Sequence, residues 1–217
     1  MLTALLFIPL CAGCIMLLWG RAVICRLGLP LTALAHTALA ASIAVKVARG
    51  EAPSELGGLL APDALGVLFL MLASVLFLTA SFYAVHYLRE EERIGEHTNI
   101  LDHGRFTNAP ERRFTACLCF FLGAMTLVTI TPHMGAQWVG IEATTLSSAQ
   151  LIYFHRHKSS LEATWKYLII CSVGIALALL GNILLAVSFH GAEGATGAAD
   201  GMDQVGWFVR NAGLAEP

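Results

Sequence analysis

The stretch FTACLCFFLGAMTLVTITPHMGAQWVGIEATTLSSAQLIYF, residues 114–154, decides how the chain is read. It is a long, largely apolar run in which Glu142 is the one formal charge. A helix that crosses a bilayer needs about 20 apolar residues, within a tolerated range of roughly 17–25. A single span of roughly 40 residues would be about twice that length. Pro132 has no backbone N–H to continue a helical ladder, so the run is read as two helices, 114–131 and 136–154, joined by a tight turn at TITPHMGAQW.

The rest of the chain divides in the same way. Four further apolar segments, 2–19, 31–47, 66–88 and 162–189, are bounded by charge, proline or glycine, and Pro30 is read as opening the second of them. The expected fold class is an all-α integral membrane protein of about six transmembrane helices. Residues 1–189 form the helical bundle and residues 190–217 a polar, Gly/Ala-rich tail with little fixed structure. Composition agrees with this division. The 217 residues are 57% hydrophobic and 13% charged, with a mean hydropathy of +0.70, whereas soluble domains carry about 25% charge. A formal net charge of −2, spread in short clusters, excludes a nucleic-acid partner.

The six cysteines, Cys11, Cys14, Cys25, Cys117, Cys119 and Cys171, lie in or beside apolar segments and read as small hydrophobes rather than a disulfide framework. Cys11 and Cys14 make a C-x-x-C without flanking histidines. The N-terminus lacks the positive region of a secretory signal and is read as a retained membrane helix.

Charge asymmetry sets an expected orientation. The connections after helices one, three and five carry Arg21, Arg26, Arg89, Arg93, Arg105, Arg112, Arg113, Arg156 and Lys158; the opposite side carries Lys46, Arg49 and Arg210. Nine against three places the first set in the cytoplasm and both termini on the outer side of the cell membrane. The 89–113 loop mixes both signs, and reads either as a solvated connection or as a dock for a cytoplasmic partner. Segment 48–65 is turn-rich and is expected to cap the outer face.

Glu142 precedes Phe154 by twelve residues, which places it about 18 Å inside the membrane at 1.5 Å per residue. A charged carboxylate at that depth costs at least about 2.5–3.5 kcal/mol on insertion scales. Two readings stay open. Either Glu142 takes up and releases protons or ions, or it stitches helices together by hydrogen bonding alongside Thr144, Thr145, Ser147 and Ser148. Lys166 is the second intramembrane charge. It lies about 9 Å deep, within snorkelling reach of the interface, and Glu162 stands four residues before it, in the favourable order for a helical ion pair. Glu142 and Lys166 differ in depth by about 9 Å, so a water or hydroxyl would have to bridge them. Glu142 and Lys166 are thus the two intramembrane charges that a relay could use, with Glu162, Thr145 and Ser148 as the polar residues near them.

The remaining polar groups point less sharply. His155 and His157 form an H-x-H without a third metal ligand nearby. His36 and His133 can titrate near neutrality, although a lone membrane histidine is more often a packing or hydrogen-bonding residue. Gln150 and Asn182 read as interhelical contacts. No phosphate-binding loop, nucleophile–base pair or cluster-binding cysteine set is visible, and no catalytic or metal site is expected.

At GIEATTLSSAQLIYFHRHKSSLEATWKYLIICSVGIALALLGNILLAV, the sequence resembles the antiporter-like, proton-pumping membrane subunits shared by respiratory complex I, Mrp-type cation/proton antiporters and membrane-bound hydrogenases, above all the hydrogenase-4 component F type. The Glu in WVGIEATTL and the later SLEATWKY carry the likeness, and APDALGVLFLMLASVLFLTASFYAVHYL is similar to the family's third helix. The resemblance implies that Glu142 is a proton-channel carboxylate on helix five and that Lys166 contributes to it. It also implies partner subunits that carry a nickel–iron centre, iron–sulfur clusters or quinone chemistry, with no cofactor in this chain. Such subunits have about fourteen helices built as inverted repeats. The six read here match the first three helices and the opening three of the first repeat, without the broken helix seven and its lysine. The expected function is a non-catalytic membrane subunit of an oxidoreductase complex that contributes to proton translocation. The alternatives are a truncated structural module without transport, and a cation/proton antiporter subunit.

Overall fold

A computed structural model describes residues 1–19, 22–94, 97–98, 105–106, 110–154 and 158–192. Arg21, the H-x-H pair of His155 and His157 with Arg156 between them, and the tail from 193 onward, Arg210 included, lie outside the described residues.

Six long helices follow one another: α1 (Leu2–Trp19), α2 (Ala22–Ala48), α3 (Ala64–Ile94), α4 (Glu111–Ile130), α5 (Met134–Ile152) and α6 (Lys158–Ala192). A 3₁₀ turn, Leu56–Gly58, sits between α2 and α3, and a two-residue antiparallel pairing of His97–Thr98 with Arg105–Phe106 lies between α3 and α4. The all-α membrane architecture expected from the sequence is the one observed.

Helix α4 is the hub. It packs on α1, α2, α3 and α5, whereas α6 packs on α5. Burial follows: 44% of the most apolar stretch of α4 is buried, against 28% for α1, α2 and α3 and none for α6. Small residues allow the close approaches. A Cβ added at Gly13 would meet the Phe120 ring at 2.8 Å, and one added at Gly140 would meet a Val128 methyl at 2.6 Å. Two apolar clusters form the core of α1–α4. Met16, Leu29, Phe77 and Leu122 belong to one, and Leu5, Ile43, Leu70 and Ile130 to the other. The outward faces carry Leu18, Leu31, Leu68, Tyr83 and Ile170, all exposed, as lipid-facing residues should be.

Three boundaries differ from the sequence reading. Pro30 does not open the second helix; α2 begins at Ala22 and carries Pro30 inside it. A proline inside a helix removes one ladder hydrogen bond, and the apolar residues before it, with Arg26 fixed by Glu111 and Glu92, hold the extra turns in place. Helix α3 runs past residue 88 into REEERI, a charged extension able to stay helical in water. Helix α6 starts at Lys158 rather than at 162.

About six spans were expected, and among the described residues five helices are long and apolar enough to cross a membrane: α1, α2, α3, α4 and α6. The exception is α5. Its length is that of a span, but Gln137, Glu142, Thr144, Thr145, Ser147, Ser148 and Gln150 make it polar. Helix α4 ends at Ile130 and α5 begins at Met134, so Pro132 falls in the break between them.

Segment 48–65 covers the helix ends at the N-terminal face of the bundle. The Glu55 carboxylate accepts hydrogen bonds from the Met1 ammonium and from the backbone N–H groups of Leu2 and Thr3, the last at 2.9 Å. These are the donors that the first turn of a helix leaves without internal partners. Their pull, the ammonium first, brings the Glu55 carboxyl down to about 2. The Thr131 hydroxyl donates to the Leu59 carbonyl at 2.8 Å, and the Ala61 N–H donates to the Ile130 carbonyl at 3.0 Å.

Candidate functional site

The candidate site lies on α5 and is held from both sides. Gly140 brings α5 against Ala124 and Val128 of α4. On the other side the Trp138 indole N–H donates to the Ile175 carbonyl of α6 at 3.0 Å. Near the opposite end of α5, the Ser160 hydroxyl of α6 donates to the Ile152 carbonyl at 2.7 Å. The middle of α5 is thereby clamped between two helices.

Glu142 sits in that clamped stretch, half-buried, and has no hydrogen bond or ion pair among the described residues. The neighbouring hydroxyls are engaged elsewhere. Thr144 and Thr145 donate to the Ile141 carbonyl at 2.7 and 3.1 Å, Ser147 to Ala143 at 2.8 Å, and Ser148 to Thr144 at 2.7 Å. Each hydroxyl has one hydrogen, and here it points back along α5 rather than across to another helix. The stripe thus offers lone pairs near Glu142 while its hydrogens stay on the helix's own carbonyls. A carboxylate left this way is open to a proton, a water or a group from another chain.

Lys166 is placed differently. Its ammonium donates to Glu162 one turn earlier on the same helix, and the two side chains are 70% and 66% exposed. Of the five residues singled out in the sequence, Lys166 and Glu162 come together on the outer face of α6. Glu142, Thr145 and Ser148 share α5, with Thr145 buried.

Two polar clusters outside this site were not assembled by the sequence reading. Arg26 of α2 bonds Glu111 of α4, its Nε lying 3.2 Å from Oε2, and its Nη2 donates to both Glu111 Oε1 and Glu92 Oε2 of α3. His36 of α2 contacts Thr126 of α4 and Ser74 of α3. The signal available was weak: hydroxyls inside apolar runs at matching depth, and charges at the ends of adjacent helices.

Among the described residues no group of three or more His, Cys, Asp or Glu side chains converges as a metal site would require.

A comparison with known protein families gives no match. Among curated proteins, the chain is similar to a hydrogenase-4 component F homolog from Methylacidiphilum infernorum (isolate V4), with 33% identity over 127 residues. Those residues are 58% of this chain and 25% of the relative, so the chain spans about a quarter of the length of the curated protein it matches. The resemblance read from the sequence is therefore borne out: this is a multi-helix membrane chain similar, over 58% of its length, to a hydrogenase-4 component F homolog.

Proposed function

We propose that the chain is an integral subunit of a hydrogenase-4-like or complex I-like assembly in the cell membrane, and that Glu142 takes up and releases protons there. The observation that carries this reading is the placement of Glu142, half-buried between two clamped helices and without a partner among the described residues. An ionisable group at membrane depth is expensive to keep, and its usual use is an ion or proton pathway. The relative named above supports the choice of complex.

In this proposal Lys166 acts on Glu142 through the field of the Glu162–Lys166 pair. Because Glu162 neutralises the ammonium, that influence is modest. The basic helix connections face the cytoplasm and both termini the outside. Partner subunits hold the nickel–iron, iron–sulfur or quinone centres, and proton passage is coupled to their electron transfer.

A structural reading has its own support, since Trp138 and Ser160 tie α5 and α6 together without using Glu142 at all. The two separate on Glu142→Gln in the assembled complex. A relay loses proton translocation at normal assembly, whereas a spacer keeps it. Sodium-dependent transport by the same complex would instead favour the cation/proton antiporter reading.

A further inference from the structure

Halfway along the α1–α4 bundle, a polar layer separates the two apolar clusters. Ala33 and Ala40 of α2, Leu70 and Phe77 of α3, and Leu122 and Ile130 of α4 lie above and below it. The layer consists of His36, Ser74 and Thr126, each 1% exposed. His36 Nε2 lies 2.9 Å from the Thr126 hydroxyl and Nδ1 lies 3.1 Å from the Ser74 hydroxyl. Each hydroxyl oxygen also sits 2.7 Å from a carbonyl one turn back on its own helix, Leu122 for Thr126 and Leu70 for Ser74.

These four contacts form one row: Leu70 carbonyl, Ser74, His36, Thr126, Leu122 carbonyl. Each contact needs one hydrogen. The two hydroxyls supply one each and a neutral imidazole supplies one, which leaves the row a hydrogen short. An imidazolium supplies two and fills it. With the ring neutral, one hydroxyl must turn from its own helix carbonyl to donate to the bare nitrogen.

We propose that His36, with Ser74 and Thr126 as its two acceptors, is a second proton-binding site of this membrane bundle, distinct from Glu142. The step transfers a proton from hydronium of the acidified solution to the bare ring nitrogen: one O–H bond breaks, leaving water, and one N–H bond forms. The hydroxyl that had donated to that nitrogen swings back to its helix carbonyl. Thr126 meets His36 across the α4–α2 interface, whereas α5, which carries Glu142, approaches α4 through Gly140 beside Ala124 and Val128. The two candidate sites thus lie on different helices.

Other charged and titratable groups are distant from the ring along every helix packed around it. On α2, Arg26 and Lys46 each lie ten residues from His36, about 15 Å along the axis. On α3, Tyr83, Asp63 and His86 lie nine, eleven and twelve residues from Ser74, about 13–18 Å. On α4, Cys119, Cys117 and Glu111 lie seven, nine and fifteen residues from Thr126, about 10–22 Å. Helix α1, which packs on α2 and α4, carries only the thiols of Cys11 and Cys14. Hydrogen bonds rather than a counter-charge hold the proton, so its occupancy depends on both hydroxyls.

The test is nitrogen-15 NMR of histidine-labelled full chain in lipid nanodiscs, with the His36 signals assigned by their loss in His36→Gln. On acidification the ring is expected to pass from the one-proton to the two-proton pattern while the helices remain folded. At the pH where the native ring is half converted, Ser74→Ala and Thr126→Val should each lower the ratio of the two-proton to the one-proton form about threefold, and Thr126→Ser should restore it. A ring that keeps one proton until the bundle unfolds would overturn the proposal. So would equal conversion in the two folded hydroxyl variants. Neither outcome touches the reading of Glu142, which is tested by transport.

Discussion

In the α1–α4 bundle an ionisable side chain at mid-height, His36, is 1% exposed and has a hydroxyl against each ring nitrogen. In the α5–α6 pair, Glu142 is half-buried and has no partner among the described residues, although four hydroxyls lie within six positions of it on its own helix. The first region joins its polar groups across helices as well as to carbonyls of their own helices. The second spends its hydroxyl hydrogens on its own carbonyls. Polar residues that close on one another fix helix positions, whereas a carboxylate left open stays available to protons or to a further chain.

The contrast makes graded predictions. The largest effect is expected at Arg26, which joins the ends of α2, α3 and α4 and is 17% exposed. Arg26→Ala strands the Glu111 carboxylate and should destabilise the folded protein by about 2–3 kcal/mol, measured by thermal unfolding in detergent. Gly140→Ala comes next. The new methyl meets Val128, and overpacking of about 1–3 kcal/mol should loosen α5 from α4, seen as faster cysteine labelling or hydrogen exchange on α5 with α1–α4 unchanged.

A smaller, pH-dependent effect is expected at Glu55. The Met1 ammonium and the helix N–H groups hold its carboxyl down at about 2, below the ordinary carboxylate value of 4.5. A depressed carboxyl contributes stability that is present above the unfolded value and lost as pH falls toward the folded one. Hydrogen exchange at Leu2 and Thr3 should therefore quicken between pH 4.5 and 2, and Glu55→Gln should remove most of that dependence. The smallest effect belongs to Lys166→Met. Its pair with Glu162 is two-thirds exposed and screened by solvent, so stability should stay nearly unchanged. A large stability loss would show that α6 is covered by something that needs this cation.

Much of this contrast could be read from residues alone. The apolar runs marked the helices, and Pro132 marked the break between α4 and α5, because both signals are local. Pro30 misled for a physical reason: whether a proline ends a helix or sits inside it depends on what holds the preceding turns, and here Arg26 does so through Glu92 and Glu111, residues far along the chain. Glu142 and the Glu162–Lys166 spacing were visible as lone and paired charges. The union of His36, Ser74 and Thr126 was not, since nothing in an apolar run says which helix its hydroxyl will face.

Proton translocation by the assembled membrane complex carrying Glu142→Gln tests the central claim most directly, with subunit assembly followed in the same preparation. The proposal predicts at least about a tenfold loss of translocation, the scale of removing a positioned proton-transfer group, at unchanged assembly. Native translocation from a normally assembled Glu142→Gln complex would contradict it.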